Sequence, residues 1–221
     1  MGRFVFVDTA NIEDIKIWKG RGVCDGVTTN QKLFLKEKGV DFKNTILQIC
    51  RLVKAPVSVE LTEHQSPEKM VKEARIYAGW SKHVVIKVPM TPDGMGLCTL
   101  KKLKEFKIKT NATLMVSFEQ MILAINCGAT YASIFYNRAK DTGYDPEEII
   151  KRTRSFIDTG SYSSQIIVGS IRNIRDVGNA FAAGTDIVTI PSKILSLMLK
   201  EEMTQKTMEE FDTAWKMFKK Q

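Results

Sequence analysis

The sequence predicts an α/β fold, a (β/α)8 barrel occupying residues 1–221 as one domain, and three observations lead to it. Eight short apolar runs alternate with helical patterns, which implies a parallel sheet. The length, 221 residues, is one that a closed α/β barrel uses without a second domain. Polar and charged residues gather at the carboxyl ends of the runs, where such barrels do their chemistry. An open doubly wound sheet is the alternative, but no Gly-x-Gly-x-x-Gly follows the first strand. No Pro/Gly/Ser-rich linker interrupts the pattern.

In chain order, the first strand is Phe4 to Asp8, in which Asp8 shares a face with Phe4 and Phe6 by the period of two. Asp8 also reads as a turn or N-cap residue before the next helix. The second strand, Gly26 to Thr28, leads into Thr29 and Asn30, and Asn30 alone reads equally as a turn residue. The third, Val57 to Leu61, carries Ser58 and Glu60. Ser66-Pro67-Glu68 then opens a helix to Ala78 with a capping hydroxyl and proline at the first helical position. The fourth strand, Val84 to Val88, contains Lys87. The fifth, Ile108 to Ala112, carries Asn111 and runs on to Thr113, and the sixth, Tyr131 to Phe135, carries Ser133 and precedes Arg138. Asp145-Pro146-Glu147-Glu148 opens a further helix with acidic residues in its first turn. The seventh strand, Gln165 to Val168, is followed by Gly169-Ser170-Ile171-Arg172, and the eighth runs from Asp186 to Ile190. Two helices follow, Ser192 to Leu199 and 207–219. The second carries Met208, Phe211, Trp215 and Phe218 at helical spacing, a face that packs either on its own barrel or on a neighbouring subunit.

Composition excludes several classes. Net charge is +8, spread along the chain, which favours phosphorylated or other anionic ligands over nucleic acid. Cys24, Cys50, Cys98 and Cys127 show neither pairing nor metal-like spacing and read as free thiols in a reducing compartment. With two histidines, His64 and His83, no histidine-based metal site is expected. No segment reaches the ~20 apolar residues of a membrane span, and the first strand begins within a few residues of the N-terminus, leaving no room for a signal peptide. The expectation is a soluble, cytoplasmic protein without metal or cofactor.

Lys87 is the most informative residue. A lysine inside Val84-Val85-Ile86-Lys87-Val88-Pro89 either snorkels to water or loses part of its proton affinity through desolvation. A neutral buried amine is a nucleophile toward carbonyl carbon, and carboxylates on neighbouring strands complete an acid/base set. The plain alternative is a lysine guarding an edge strand. Gly169-Ser170-Ile171-Arg172 at a helix start supplies backbone N–H groups, a hydroxyl and a guanidinium, the ingredients of a phosphate site.

Six segments in order carry a resemblance: Phe6-Val7-Asp8-Thr9-Ala10-Asn11, Asp25-Gly26-Val27-Thr28-Thr29-Asn30, Val57-Ser58-Val59-Glu60, Ile86-Lys87-Val88-Pro89-Met90-Thr91, Lys109-Thr110-Asn111-Ala112-Thr113-Leu114 and Gly184-Thr185-Asp186-Ile187-Val188-Thr189-Ile190-Pro191. Together they resemble the short, single-domain transaldolases across nearly the whole chain. The resemblance implies transfer of a dihydroxyacetone unit from a ketose phosphate (sedoheptulose 7-phosphate or fructose 6-phosphate) to an aldose phosphate, a reaction of the pentose phosphate pathway. It implies that Lys87 forms a Schiff base, that Asp8 is base and acid at the carbon–carbon bond, and that Glu60 with Thr113 holds a proton-shuttling water. It further implies Asn30 and Asn111 on substrate hydroxyls, Ser133 and Phe135 around the dihydroxyacetone end, and Arg138, Ser170 and Arg172 on the phosphate. A ring-like homo-oligomer, pentamer or decamer, also follows from the likeness.

The related fructose 6-phosphate aldolases have glutamine where this chain has Glu60 and tyrosine where it has Phe135, so both residues lean toward transfer rather than cleavage. The chain departs from the family pattern at Gln31 and Ile134, where proline is usual. A class I aldolase on the same scaffold is the second reading. A non-catalytic, polyanion-binding barrel is the third, through Lys101-Lys102-Leu103-Lys104 and Lys107-Ile108-Lys109. No aromatic interleaving supports nucleic acid there.

Overall fold

The structure, a computed structural model, describes residues 2–220. Its strands are β1 (Phe4–Asp8), β2 (Gly26–Thr28), β3 (Val57–Glu60), β4 (Val84–Pro89), β5 (Thr110–Met115), β6 (Tyr131–Phe135), β7 (Gln165–Gly169) and β8 (Ile187–Ile190). They close in sequence order into one barrel, every adjacent pair parallel, with β8 returning to β1. The helices to β5 are α1 (Ile12–Gly20), α2 (Gln31–Phe34), α3 (Phe42–Val53), α4 (Pro67–Ala78) and α5 (Met95–Glu105). Beyond it come α6 (Phe118–Asn126), α7 (Tyr136–Asp141), α8 (Pro146–Thr159), α9 (Ile174–Ala183), α10 (Ser192–Met198) and α11 (Glu202–Phe218).

Local signals explain most element starts. Ser66 caps α4 by accepting from the Lys69 N–H, and Asp145 caps α8 by accepting from Glu147 and Glu148. Outward positions of the strands, such as Val57, Val59, Ile86, Val88, Ile134 and Val168, join buried helix residues in the main core. Inward positions divide by height. Phe6, Val85, Tyr131, Ile167 and Ile187 form a separate apolar plug inside the barrel, with the Phe6 and Tyr131 rings edge to face at 6.4 Å. One step further along the strands, the inward side chains turn polar, and that layer is the mouth. Gly26 makes the plug possible. A Cβ there would sit 2.6 Å from two carbons of the buried Phe6 ring, an overpacking that would push the ring against the rest of the plug.

The ends of β3, β4, β7, β8 and α10 shift by one residue from the sequence expectation, and larger differences lie at β5 and the last helix. β5 starts at Thr110, not Ile108, because Lys107 takes a left-handed turn at φ 55° and the Ile108 N–H closes α5 on the Leu103 carbonyl. The strand then runs to Met115 through a bulge, where Leu114 at φ 65° is the extra residue that lets Thr113 face inward and Met115 outward. The last helix begins at Glu202 rather than at 207, and α10 ends at Met198. α10 is pinned to α1 by Trp18 Nε1 donating to Ser192 Oγ (2.9 Å) and Ser192 Oγ donating to Asp14 (2.8 Å). α11 buries none of its residues, and Phe211, Trp215 and Phe218 are all exposed, so its apolar face does not pack on this chain's barrel. Among the described residues, no helix is long and apolar enough to cross a membrane. The four cysteines are free.

Candidate active site

Strand register brings the inward polar residues level with one another. Glu60 on β3 is opposite Lys87 on β4, which is opposite Asn111 on β5. Asp8 on β1 is opposite Thr28 on β2, which is opposite Ser58 on β3. Lys87 is 5% exposed, so it neither snorkels nor guards an edge. Its Nζ lies 3.3 Å from Glu60 Oε2 and donates to the Thr29 carbonyl at 3.4 Å.

Asp8 lines the same cavity as this amine. Burial pushes its carboxyl up, opposed by the positive charge of Lys87, by the hydrogen bond from Thr28 and by the charge of Lys36. Thr28 Oγ1 donates to Asp8 Oδ1 at 2.7 Å and is shared with Thr189. Asp8 is not the cap of α1. Asn11 takes that role by accepting from the Asp14 N–H.

The remaining expected residues fall into three groups. Asn30, Ser133, Phe135, Arg138 and Ser170 line one cavity of about 120 Å³ together with Asp8, Lys87, Thr28, Gly169 and Thr189. Asn30 also caps α2, its Oδ1 accepting from the Leu33 N–H at 3.0 Å, which leaves the amide N–H groups for a ligand. The Arg138 guanidinium lies 4.7 Å above the Phe135 ring, a cation–π contact that holds it at the rim. Asn111 and Thr113 are fully buried, Asn111 directly opposite Lys87 in the register. Asn111 Nδ2 donates to Ser58 Oγ at 3.1 Å, whereas Asn111 Oδ1 and Thr113 Oγ1 find no partner among the described residues. A buried polar atom without a partner is costly, so both keep unused hydrogen-bonding capacity in this layer.

Arg172 stands apart. Its guanidinium forks onto the Asp141 carboxylate at the surface, outside the cavity. Ser170 is not the cap of α9 either. The loop from Ser170 to Arg172 precedes the helix, and Asn173 caps it in a reciprocal box with Asp176.

Asp176 and Asn137 are two residues that sequence reasoning missed. Burial alone would raise the Asp176 carboxyl, but hydrogen bonds from Asn137 Nδ2 and from the Arg172 and Asn173 N–H groups outweigh it and hold the group below the ordinary carboxylate range. Asn137 Nδ2 also donates to the Ser170 carbonyl at 2.8 Å. The loop is thereby held with Ser170 at φ 60°. The available signal was a paired one, an amide after β6 and a carboxylate after β7, which a single sequence cannot connect. Thr189 was also missed, although a lone hydroxyl in Ile187-Val188-Thr189-Ile190 falls on the inward parity.

Fold and site together define a class: a (β/α)8 barrel whose fourth strand carries a buried lysine, ringed at the mouth by two carboxylates, amides and hydroxyls. Residues 5–221 match the family model described as transaldolase/fructose-6-phosphate aldolase. The chain belongs to this family of aldolase- and transaldolase-type enzymes. A probable transaldolase of Lactiplantibacillus plantarum is 40% identical over 213 residues, covering 96% of each chain. One of Petrotoga mobilis is 42% identical over 214 residues, covering 97% of this chain and 95% of its own, and one of Desulforapulum autotrophicum is 41% identical over 211 residues, 96% of each. Among solved structures, a mandelate oxidase with an FMN adduct superposes with a TM-score of 0.56 at 13% identity, covering 86% of this chain and 64% of that one. That likeness concerns the barrel fold alone.

Proposed function

We propose that the protein is a transaldolase that moves a dihydroxyacetone unit between sugar phosphates through a Schiff base on Lys87. The carrying observation is the position of the Lys87 amine, enclosed at the barrel mouth with Glu60 at 3.3 Å and Asp8 lining the same cavity. The unprotonated amine attacks the C2 ketone of a ketose phosphate. Loss of water, with proton movement through Glu60, gives an iminium that accepts the electrons of the C3–C4 bond. Asp8 takes the C4 hydroxyl proton, the C3–C4 bond breaks, and an aldose phosphate leaves. The three-carbon enamine on Lys87 then attacks a second aldose phosphate, Asp8 returns the proton, and water releases the new ketose.

Burial of Asp8 suits both halves of that proton exchange, because raising a carboxyl above its ordinary range makes it a stronger base when ionised and keeps more of it protonated for its turn as the acid. Asn111 Oδ1 and Thr113 Oγ1 supply unused acceptor capacity next to the imine. Asn30 and Ser133 would bind hydroxyls, with Arg138 and Ser170 on the phosphate. Arg172 would join them only by leaving Asp141. Transfer is favoured over aldol cleavage by Glu60, which keeps a proton carrier at the imine, and by Phe135, which adds no hydroxyl beside the enamine.

Incubation with fructose 6-phosphate and borohydride should add the reduced three-carbon adduct to Lys87, detected by mass spectrometry. Product analysis with and without erythrose 4-phosphate separates the two activities. A new seven-carbon ketose supports transfer, and free dihydroxyacetone without acceptor supports cleavage. Absence of any Lys87 adduct overturns both. We also propose that α11 packs on a second copy of the chain in a ring-like pentamer or decamer working in the cytoplasm. Support comes from the uncovered Phe211, Trp215 and Phe218. A Phe211→Glu/Trp215→Glu variant that sediments like wild type would refute the packing.

A further inference from the structure

The basic run singled out in the sequence divides in two in the fold. Lys101 is solvent-exposed, and Lys102 reaches Glu68 at 2.8 Å, as expected of a solvated helix face. Lys104, Lys107 and Lys109 do something else. They surround a cavity of about 300 Å³ at the amino-terminal end of the barrel, between the segments leading into β5, β6 and β7. This is the opposite end from Lys87.

No carboxylate lines this cavity, and none of the three lysines has an ion-pair partner among the described residues. Their placement is built into the backbone. Lys107 sits in a left-handed conformation at φ 55°, which separates it from the end of α5. Lys104 lies across Gly128, where a Cβ would come within 2.3 Å of its Cδ and 3.0 Å of its Nζ. The usual role of lysines near a helix end is to complement the terminal carbonyls. Here the Phe106, Lys107 and Ile108 N–H groups already close those carbonyls, and Lys109 lies beyond the helix. Ser163 and the amide N–H groups of Asn126 add uncharged donors. Tyr162 has one ring face stacked on Phe156 at 5.1 Å, and its hydroxyl donates to Asn126.

We infer that this cavity is an anion site for a compact phosphate-bearing molecule, separate from the catalytic mouth. Three lysines, all solvent-exposed, lining one concavity that has no carboxylate suit a multiply charged phosphate or pyrophosphate group. An extended strand of nucleic acid would need a charged track with exposed aromatic faces.

The probe is sodium pyrophosphate, titrated calorimetrically into wild type, a Lys107→Asn/Lys109→Gln variant and Arg138→Ala. Asparagine at 107 tolerates the left-handed turn. Wild type and Arg138→Ala are expected to share one binding event that weakens about tenfold or more in the lysine variant and fades at about 1 M salt. Transfer kinetics of the lysine variant should match wild type. In wild type itself, pyrophosphate should slow acetylation of Lys107 and Lys109 relative to Lys101, a readout independent of any variant's folding. Binding lost in Arg138→Ala, unchanged affinity in the lysine variant, or unprotected lysines would each overturn the site. A single-stranded oligonucleotide that binds more tightly than pyrophosphate through the same lysines would overturn the small-anion assignment.

Discussion

Lys87→Met offers a test of how the two central charges depend on each other. The Nζ and Oε2 atoms lie 3.3 Å apart, with side chains 6% and 10% exposed. At an effective dielectric constant near 20, that separation corresponds to roughly 5 kcal/mol of attraction. Methionine keeps the volume and removes the charge, leaving Glu60 without its cation in a nearly closed layer. Partial relaxation toward the adjoining cavity lined by Thr29, Gln31 and Thr62 offsets some of the loss, so the net destabilisation should be about 3 kcal/mol, the range for breaking a buried pair. Glu60→Gln in the same background removes the stranded charge and should recover most of it. Urea unfolding at pH 7 and equal protein concentration measures all four members of the cycle, with the midpoint shifting at constant m. A Lys87→Met protein within about 0.5 kcal/mol of wild type, or a double variant no more stable than the single one, would show that Glu60 does not feel the Lys87 charge. Proton passage between the two would then lose its basis.

Other perturbations address other parts of the site. A carboxyl raised on folding favours the native state below its ordinary pKa of about 3.9 and costs stability once pH passes the raised value. Asp8→Asn should therefore melt higher than wild type at neutral pH, the gap closing as pH falls toward about 4, while kcat/KM drops about 100- to 10,000-fold. In wild type, the acidic limb of kcat/KM should lie above the ordinary aspartate range, and a limb at or below it would contradict the burial argument. Arg138→Ala should raise KM for phosphorylated donors more than Arg172→Ala does, because Arg138 lines the cavity and Arg172 is held by Asp141. Breaking the exposed Arg172–Asp141 pair should change unfolding free energy by less than about 1 kcal/mol. Gly26→Ala should destabilise by about 1 to 3 kcal/mol through overpacking against Phe6, and a neutral effect in denaturant unfolding would refute that packing account.

How much was legible beforehand depended on how local each signal was. The inward parity of Asp8, Glu60, Lys87, Asn111 and Ser133 follows from a period of two, and the starts of α4 and α8 follow from Ser66-Pro67 and Asp145-Pro146. The start of β5 is hidden in the sequence because Ile108 continues an apolar pattern, while the turn at Lys107 depends on how α5 closes against the barrel. The beginning of the last helix carries no local signal, because 202–206 lacks apolar spacing and α11 has no side-chain cap to announce it.

Alternation, caps and the placement of one lysine in a β-branched run were sufficient for the barrel and for most of the residues at its mouth, because each is set by contacts within a few positions of the chain. Tertiary structure alone decided that Glu60 faces Lys87 at 3.3 Å, that Arg172 turns to Asp141, that Asn137 and Asp176 hold the Ser170 loop, and that three lysines meet around one cavity. Those facts are distances between residues far apart in sequence, and barrel closure and register set them rather than any local preference.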